Sequence, residues 1–381
     1  MTNDNSRISF IDNIRSCMIV LVLSMHAAVT YSGQGGWYYT EQTRLSKPVL
    51  LFFITYQSFL QSFFMPLLFF IAGYFVPGAY DKKGCARFLR TRAFRLGWPL
   101  LLYIFIIGPL TEYFISHSWH PDPVDRSFAR EYTNYIIRFR FPGGTGPLWF
   151  CEALLIFCLL YAGYRQLFKT LHVKRTFTGL SVTAVCLFIF IVGISIFFIR
   201  IPFSKGSSLF NLQLAYFGTY ILFFAAGILA FRRNFLMVIS NRMGNRAAWI
   251  ALGTLIIYWP LLLLSGGAFY GKWELFQGGL HWQSLGLSFW ESLVGISMSL
   301  FLIVLFRKKY NVHNRVTEFF SDNSFAVYVF HPPILIGIAI LLGGWDLHPV
   351  VKFILLTLLS VIASFVICSQ IRKLPLLKQI L

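Results

Sequence analysis

The sequence is dominated by repeated apolar runs, each long enough to cross a lipid bilayer. A hydrocarbon core of about 30 Å needs roughly 20 residues of helix at about 1.5 Å per residue. Runs of this length occupy residues 14–31, 49–76, 96–115, 147–168, 177–199, 212–231, 247–265, 285–306, 324–342 and 351–371. The sequence therefore predicts an all-α integral membrane protein with about ten transmembrane helices.

The charge content excludes a soluble globular domain. Only 12% of the residues are charged and the mean hydropathy is +0.66, whereas soluble domains carry roughly 25% charged residues. No linker, low-complexity tract or change of composition divides the chain. We therefore expect one membrane-embedded domain over residues 1–381, surrounded by membrane lipid.

The basic residues predict the orientation of the chain in the membrane. If the N-terminus is inside, 23 of the 33 lysines and arginines fall in cytoplasmic segments, as the positive-inside rule requires. This distribution predicts an N-in and C-in multi-pass membrane protein. The net charge of +19 comes from short clusters between apolar runs and not from one continuous face, so no nucleic acid partner is predicted. The external segment 116–146 is expected to cap the outer mouth.

His26 is the first candidate for chemistry, because an ionisable residue deep in a membrane span is costly unless it has a function or a partner. Arg15 precedes it by eleven positions, which come within about 20° of three whole turns, so both lie on one helix face about 16 Å apart. Imidazole is the usual general base near neutral pH. The alternatives are that His26 only hydrogen-bonds a neighbouring helix and that Arg15 only anchors the topology.

A basic run that follows the second span supplies the next candidates. Arg92 and Arg95 are three positions apart on the predicted helix, where two guanidinium groups can hold one polyanionic group together. Arg95 is followed at once by apolar residues, so it lies at the edge of the hydrocarbon. The positive-inside rule alone explains the remaining basic residues of this run, which are Lys82, Lys83, Arg87 and Arg90.

Four further residues are candidates for substrate binding. Trp149 and Glu152 share the outer end of the fourth span, where a ring and a carboxylate could bind a sugar; an interfacial aromatic residue beside a solvated acid is the alternative. Glu291 lies deeper in an apolar run. His331 precedes Pro332, where a break or a kink of the helix is expected, and it is a candidate for a second pocket histidine.

Gln57 and Gln61 lie one turn apart in the second span. They are predicted to form interhelical hydrogen bonds rather than a site. The six cysteines include no C-x-x-C pair, and no metal site is predicted.

The order and spacing of these residues resemble acyltransferase family 3, a family of integral membrane enzymes that modify glycans and other envelope molecules. The matching features are Arg15 with His26, Arg92 with Arg95, Phe69 and Phe70 with Gly73, Gly146 to Phe150, and Ser324 to Pro332. Ala72 stands where the family more often has a serine. The segment Asp12 to Arg15, followed by His26 and Tyr31, is also similar to the branch that includes the membrane succinyltransferase of periplasmic glucans.

The resemblance implies transfer of an acyl group, acetyl or succinyl, from cytoplasmic acyl-CoA to a hydroxyl of an envelope glycan or a similar acceptor. His26 would accept the proton or relay the acyl group, and Arg15, Arg92 and Arg95 would hold the CoA phosphates. Acyl-CoA would be a substrate, with no permanently bound cofactor. The resemblance also implies a location in a bacterial inner or plasma membrane.

Two other functions remain open. One is a transporter or flippase of a glycan or acylated envelope precursor, although no internal repeat is visible. The other is a membrane acyltransferase of the second large family, with His331 beside Asp322 or Asn323.

Overall fold

Ten long apolar helices make up the computed structural model, which describes residues 8–41, 44–119, 127–168, 179–375, 377, 378 and 380. The chain is 81% helical, and its described residues form no β-strand. The helices are α1 (Ser9–Ser32), α2 (Lys47–Lys83), α3 (Cys85–His117), α4 (Gly146–Leu167), α5 (Val182–Arg200), α6 (Leu214–Arg232), α7 (Asn241–Tyr270), α8 (Trp282–Lys309), α9 (Arg315–Gly343) and α10 (Pro349–Ile371). The predicted fold class is confirmed.

The helices extend beyond the apolar runs at their charged ends. α3 begins at Cys85 and not at residue 96, and α9 begins at Arg315 and not at residue 324. The start of α9 is fixed by Asn314, whose side chain accepts hydrogen bonds from backbone N–H groups at 3.0 and 2.9 Å, as an N-cap does. Charged residues end a hydropathy run without ending a helix. The predicted start of the fifth span, at 177, lies outside the described residues.

The sequence predicted a break or a kink at Pro332, and helix α9 continues through Pro332 and Pro333 without a break. Pro332 has no N–H, and the carbonyl of Tyr328 four residues earlier therefore loses its helical partner. The Nδ1 atom of His331 lies 2.9 Å from this carbonyl oxygen and takes the place of the missing donor. A side chain thus satisfies the backbone that the proline frees.

In the described chain, α3 contains π-helical turns at Ala93–Gly97 and Tyr103–Ile107, and α7 contains one at Thr254–Tyr258. Side chains from other elements use carbonyls of the last two: Tyr135 donates to Ile104 at 3.0 Å and Trp290 donates to Thr254 at 3.1 Å. Tyr135 belongs to a short helix, Phe128–Ile137, within the segment 116–146. Its hydrogen bond to the π-turn at Tyr103–Ile107 holds the described part of this segment against the bundle.

Helix α2 occupies the centre of the bundle and packs against α6 through glycines. A Cβ atom added at Gly73 would lie 2.1 Å from the carbonyl oxygen of Phe224, and one at Gly227 would lie 2.0 Å from that of Phe70. The two backbones are therefore in direct contact, which only glycine permits in a membrane bundle. The Phe69, Phe70 and Gly73 pattern is thus a packing motif in this fold.

One end of the bundle holds the first helical residues and the end of α10. Ser324 donates to Ser16 at 3.0 Å, and Arg372 donates to Asn323 at 3.3 Å. We call this the N-terminal end. Asp81 also lies here, where it pairs with Arg165 and Arg232 and joins α2, α4 and α6. The described parts of the segments that follow α1, α3, α5, α7 and α9 lie at the opposite end, which we call the far end.

Candidate active site

A cavity of about 1040 Å³ lies at the far end. Its wall combines residues of every described long helix except α5 and α10 with the segments that join helices at this end. Most of the wall is aromatic or carries uncharged polar groups. The lining side chains include His26, Trp37, Gln57, Gln61, Glu112, Trp149, Lys205, Tyr216, Tyr220 and Gln277. This cavity can hold a molecule much larger than water.

His26 lies in the cavity wall and is held by ring stacking. The indole ring of Trp37 lies parallel to the imidazole, with ring centroids 3.8 Å apart and an interplanar angle of 16°. Gly33, in the left-handed conformation with φ 63°, ends α1 and turns the chain toward Trp37. Among the described residues, the buried Nδ1 atom of His26 has no hydrogen-bond partner. The imidazole is therefore oriented by stacking, and its unpaired Nδ1 atom is buried in the cavity wall.

His331 lies behind His26 and is buried. Its ring centroid is 5.3 Å from that of His26 and 6.2 Å from that of Trp37, so three rings lie almost parallel. The bond to the Tyr328 carbonyl requires Nδ1 to carry the proton, which leaves Nε2 as an acceptor, and this atom has no partner in the described chain. The structure brings both predicted histidines together, but only His26 lines the cavity.

The segment that carries Trp37 is fixed at several points. Glu41 forms an ion pair of 2.7 Å with Lys352 of α10, and its N–H donates to the Thr30 carbonyl at 2.8 Å. Gln57 donates to the Gln34 carbonyl at 3.2 Å. Because these contacts hold both sides of Trp37, its ring is positioned by α2 and α10 as well as by α1.

The opposite wall carries stacked aromatic rings and amides. Trp149 stacks on Tyr220, with centroids 5.4 Å apart, and the Tyr220 hydroxyl accepts a hydrogen bond from Gln61 at 3.0 Å. Gln57 and Gln61 thus form the hydrogen bonds between elements that the sequence predicted. They also face the cavity, which the sequence did not predict.

The two predicted carboxylates lie outside the described cavity wall. Glu291 is buried and binds Arg200 at 2.5 Å and Lys205 at 2.6 Å, and only Lys205 of these three reaches the cavity. Burial, together with the charge of Arg200, lowers the pKa of Lys205 to about 8, although Glu291 opposes this shift. Glu152 is partly buried on α4, and its Oε2 atom has no partner among the described residues.

The three predicted arginines lie at the N-terminal end. Arg15 is half exposed and pairs with Asp12 at 3.3 Å, while Arg92 lies over the Phe88 ring at 5.4 Å. Arg92 is close enough to Arg15 and Arg95 for their charges to repel its own. The cavity wall on α1 ends at Val22, and the segment 16–19 contains buried side chains. The arginines thus form one cluster, which packed residues separate from the cavity.

A family model described as an acyltransferase domain matches residues 8–369. The chain belongs to this acyltransferase family. No curated protein and no solved structure matches the chain. The matched range contains all ten helices except the last residues of α10, and it includes His26, His331 and the three arginines. The protein is therefore a membrane acyltransferase, as the resemblance in the sequence implied.

Two residues of this acyltransferase were missed by sequence reasoning. Trp37 and Lys205 lie in short segments between helices, where a tryptophan or a lysine is ordinary at a membrane interface. A faint signal for Trp37 was its position soon after the His26 span, with three glycines before it. Lys205 gave none, since its partner Glu291 is 86 positions away in the chain.

Proposed function

We propose that this membrane acyltransferase moves an acyl group from acyl-CoA, held at the N-terminal end, to a hydroxyl of an envelope glycan in the cavity. The observation that carries the proposal is the position of His26. Its imidazole lies in the cavity wall with Nδ1 unpaired in the described structure. It also lies on the same helix as Arg15, about 16 Å along the axis.

In this proposal His26 accepts the proton of the acceptor hydroxyl. The hydroxyl oxygen forms a bond with the thioester carbonyl carbon, and the carbon–sulfur bond breaks. The proton passes from His26 to the departing CoA sulfur, which restores the neutral imidazole. A histidine suits both steps because its ordinary pKa lies near neutral pH.

The arginine cluster supports binding of the donor. Arg15 and Arg95 both repel Arg92, and a polyphosphate would relieve this repulsion and accept charge-assisted hydrogen bonds. Met18 and Ile19 are packed between Arg15 and Val22. The acyl arm of the donor has to pass this segment, so donor binding is expected to move side chains there.

The cavity wall supports a glycan acceptor. Trp149 and Tyr220 offer aromatic faces on which a sugar ring can stack, and Gln57 and Gln61 offer amides for its hydroxyl groups. Glu152 and His331 stay candidates next to this wall. The wall contains few charged groups, as expected for a site that selects by shape and hydrogen bonds.

The proposal includes the N-in and C-in orientation, which places the far end outside the cytoplasm. The basic end of the bundle supports it, because the clusters at Lys82 to Arg95 and around Arg165 and Arg232 lie at the N-terminal end. Topology reporters fused after residues 83 and 130 should report opposite sides of the membrane, with residue 83 inside. The same side for both would contradict the arrangement.

Replacement of His26 tests the function directly. In cells that carry His26→Ala, acylation of envelope glycans should fall on the order of 10²-fold or more. Mass spectrometry of the glycans measures this change. The amount of protein in the membrane should not change. His281→Ala, at an exposed histidine of the far end, is the matched control and should leave acylation intact. Unchanged acylation in His26→Ala would remove His26 from the reaction.

A further inference from the structure

Arg200, Lys205 and Glu291 form a charged cluster at the far end, which we call the Lys205 cluster. One carboxylate serves two cations, at 2.5 Å from Arg200 and 2.6 Å from Lys205. The cluster therefore has one positive charge in excess. Both cations also lie beside the Tyr216 ring, at 5.3 and 5.7 Å from its centroid, which attracts cations but carries no charge.

The excess charge is buried. Arg200 is 0% exposed, and its Nε and Nη1 atoms have no hydrogen-bond partner in the described chain. The side chain of Lys205 is 15% exposed. A buried charge without a counterion is unfavourable, so an anion that reaches Lys205 would be stabilised.

The cluster is held in place by the backbone around it. The N–H of Lys205 donates to the Gln277 carbonyl at 2.8 Å, and the N–H of Gly279 donates to the Arg200 carbonyl at 3.0 Å. A Cβ atom added at Gly278 would lie 2.5 Å from the same Arg200 oxygen, so the two segments are in close contact. The ammonium group is therefore oriented before a ligand arrives, which reduces the cost of binding.

Lys205 opens the cluster to the cavity. Lys205, Tyr216 and Gln277 all line the wall that also contains His26. In the described wall, Lys205 and Glu112 are the charged side chains, apart from any charge on His26. A ligand in the cavity thus meets one cationic group, at a fixed place.

We infer that the Lys205 cluster binds a carboxylate of the substrate that occupies the cavity. A single excess positive charge matches a singly charged carboxylate better than a phosphate dianion. This inference rests on the proposed function and narrows its substrate class. The carboxylate can belong to the acyl group, as in a dicarboxylic half-ester, or to an acidic sugar of the acceptor.

Kinetics with the full-length protein in lipid nanodiscs separate the two sources. The first arm varies the donor and compares succinyl-CoA with acetyl-CoA, with a neutral glucan as the acceptor. The second arm varies the acceptor and compares a glucuronate-containing oligosaccharide with the neutral glucan, with acetyl-CoA as the donor. Lys205→Met should raise KM for the carboxylate-bearing partner on the order of 10-fold to 100-fold and leave the neutral partner unchanged. Lys205→Arg should retain most of the affinity, and Lys272→Met, at an exposed lysine of the far end, should have no effect. Equal effects on charged and neutral partners, or none in either arm, would overturn the inference.

A binding measurement keeps this result separate from the proposed function. Sodium succinate or sodium glucuronate should raise the Tm of the wild-type protein above that in sodium chloride of equal ionic strength, and glucose should not reproduce the effect. The Lys205→Met variant should lose this Tm shift. It is expected to fold because Arg200 and Glu291 remain a balanced pair. Lys205→Gln serves as a second variant and should lose the shift as well. If the Tm shift is specific for carboxylates but the protein transfers no acyl group, carboxylate binding by the Lys205 cluster is supported and the proposed function fails. If the enzyme is active but shows no such shift, only the inference of carboxylate binding is overturned.

Discussion

The indole ring of Trp37 covers one face of the His26 imidazole, with ring centroids 3.8 Å apart and an angle of 16° between the planes. The two residues come from different elements, since His26 belongs to α1 and Trp37 to the segment after it. In the proposed reaction His26 becomes positively charged when it takes a proton. An aromatic face at this distance attracts a cation by about 0.5–2 kcal/mol, so Trp37 is a positioning residue that also favours the charged intermediate.

Trp37→Ala should therefore lower kcat roughly 3-fold to 30-fold, the rate equivalent of that attraction, with a smaller change in KM for acyl-CoA. Trp37→Phe keeps a ring and should recover part of the loss. Single-turnover acyl transfer in nanodiscs measures the effect. Trp249→Ala, at a tryptophan 73% exposed on α7, is the matched control and should behave as wild type. A Trp37→Ala enzyme with normal kcat would show that the stack is only structural.

The ion pair of Glu41 and Lys352 should hold the Trp37 segment in place. Their side chains are only 14% and 4% exposed, and their charged atoms lie 2.7 Å apart. Removing one partner of a buried pair typically costs about 3–5 kcal/mol, because the other charge is left uncompensated. Lys352→Met should thus lower Tm clearly and reduce acyl transfer.

A double-mutant cycle tests this coupling. Glu41→Gln with Lys352→Met removes both charges, and its Tm should exceed that of Lys352→Met alone. If the double variant is no more stable than the single one, the two side chains do not act as a pair. Acyl transfer should recover with Tm, because the segment regains a fixed position.

The sequence was sufficient to predict the ten spans, because in lipid a long apolar run has few alternatives to a helix. It also placed Arg15 and His26 on one helix at a known separation, since helix geometry is local. The inner limits of α3 and α9 were missed for a physical reason. Hydropathy measures the fit to lipid, whereas the helix continues through charged residues in the headgroup region.

The composition of the cavity wall was not predictable in the same way. Glu291 looked like a pocket residue because it is an acid in an apolar run, but its partners Arg200 and Lys205 come from α5 and the segment after it. Which side chain of the three reaches the cavity depends on how α5 and α8 pack. Trp37 and Lys205 became site candidates only when tertiary contacts placed them in one wall with His26.

Arg95→Ala should weaken donor binding if the arginine cluster holds the CoA phosphates. Loss of one charge-assisted contact should raise KM for acyl-CoA on the order of 10-fold, and Arg92→Ala should act similarly. Added salt should reduce the difference from wild type, since it screens exposed charges. Arg87→Ala is the control, because Arg87 is an exposed arginine earlier in α3 that the positive-inside rule alone explains. This variant should keep the wild-type KM. An unchanged KM in Arg92→Ala and Arg95→Ala would exclude the phosphate-binding role.

The pH dependence of carboxylate binding should follow Lys205. Burial lowers the pKa of this lysine to about 8, with Arg200 acting in the same direction and Glu291 against it. The ammonium form, which attracts a carboxylate, therefore predominates below pH 8 and is lost as the pH rises above it. KM for the carboxylate-bearing substrate, measured between pH 6.5 and about 9.5, should be flat at first and then rise toward tenfold per pH unit.

The Lys205→Arg variant should remove this rise in KM, because a guanidinium group stays protonated throughout. KM for the neutral substrate should show no such rise in either protein. A rise that persists in Lys205→Arg would assign the titration to another group and not to the lysine.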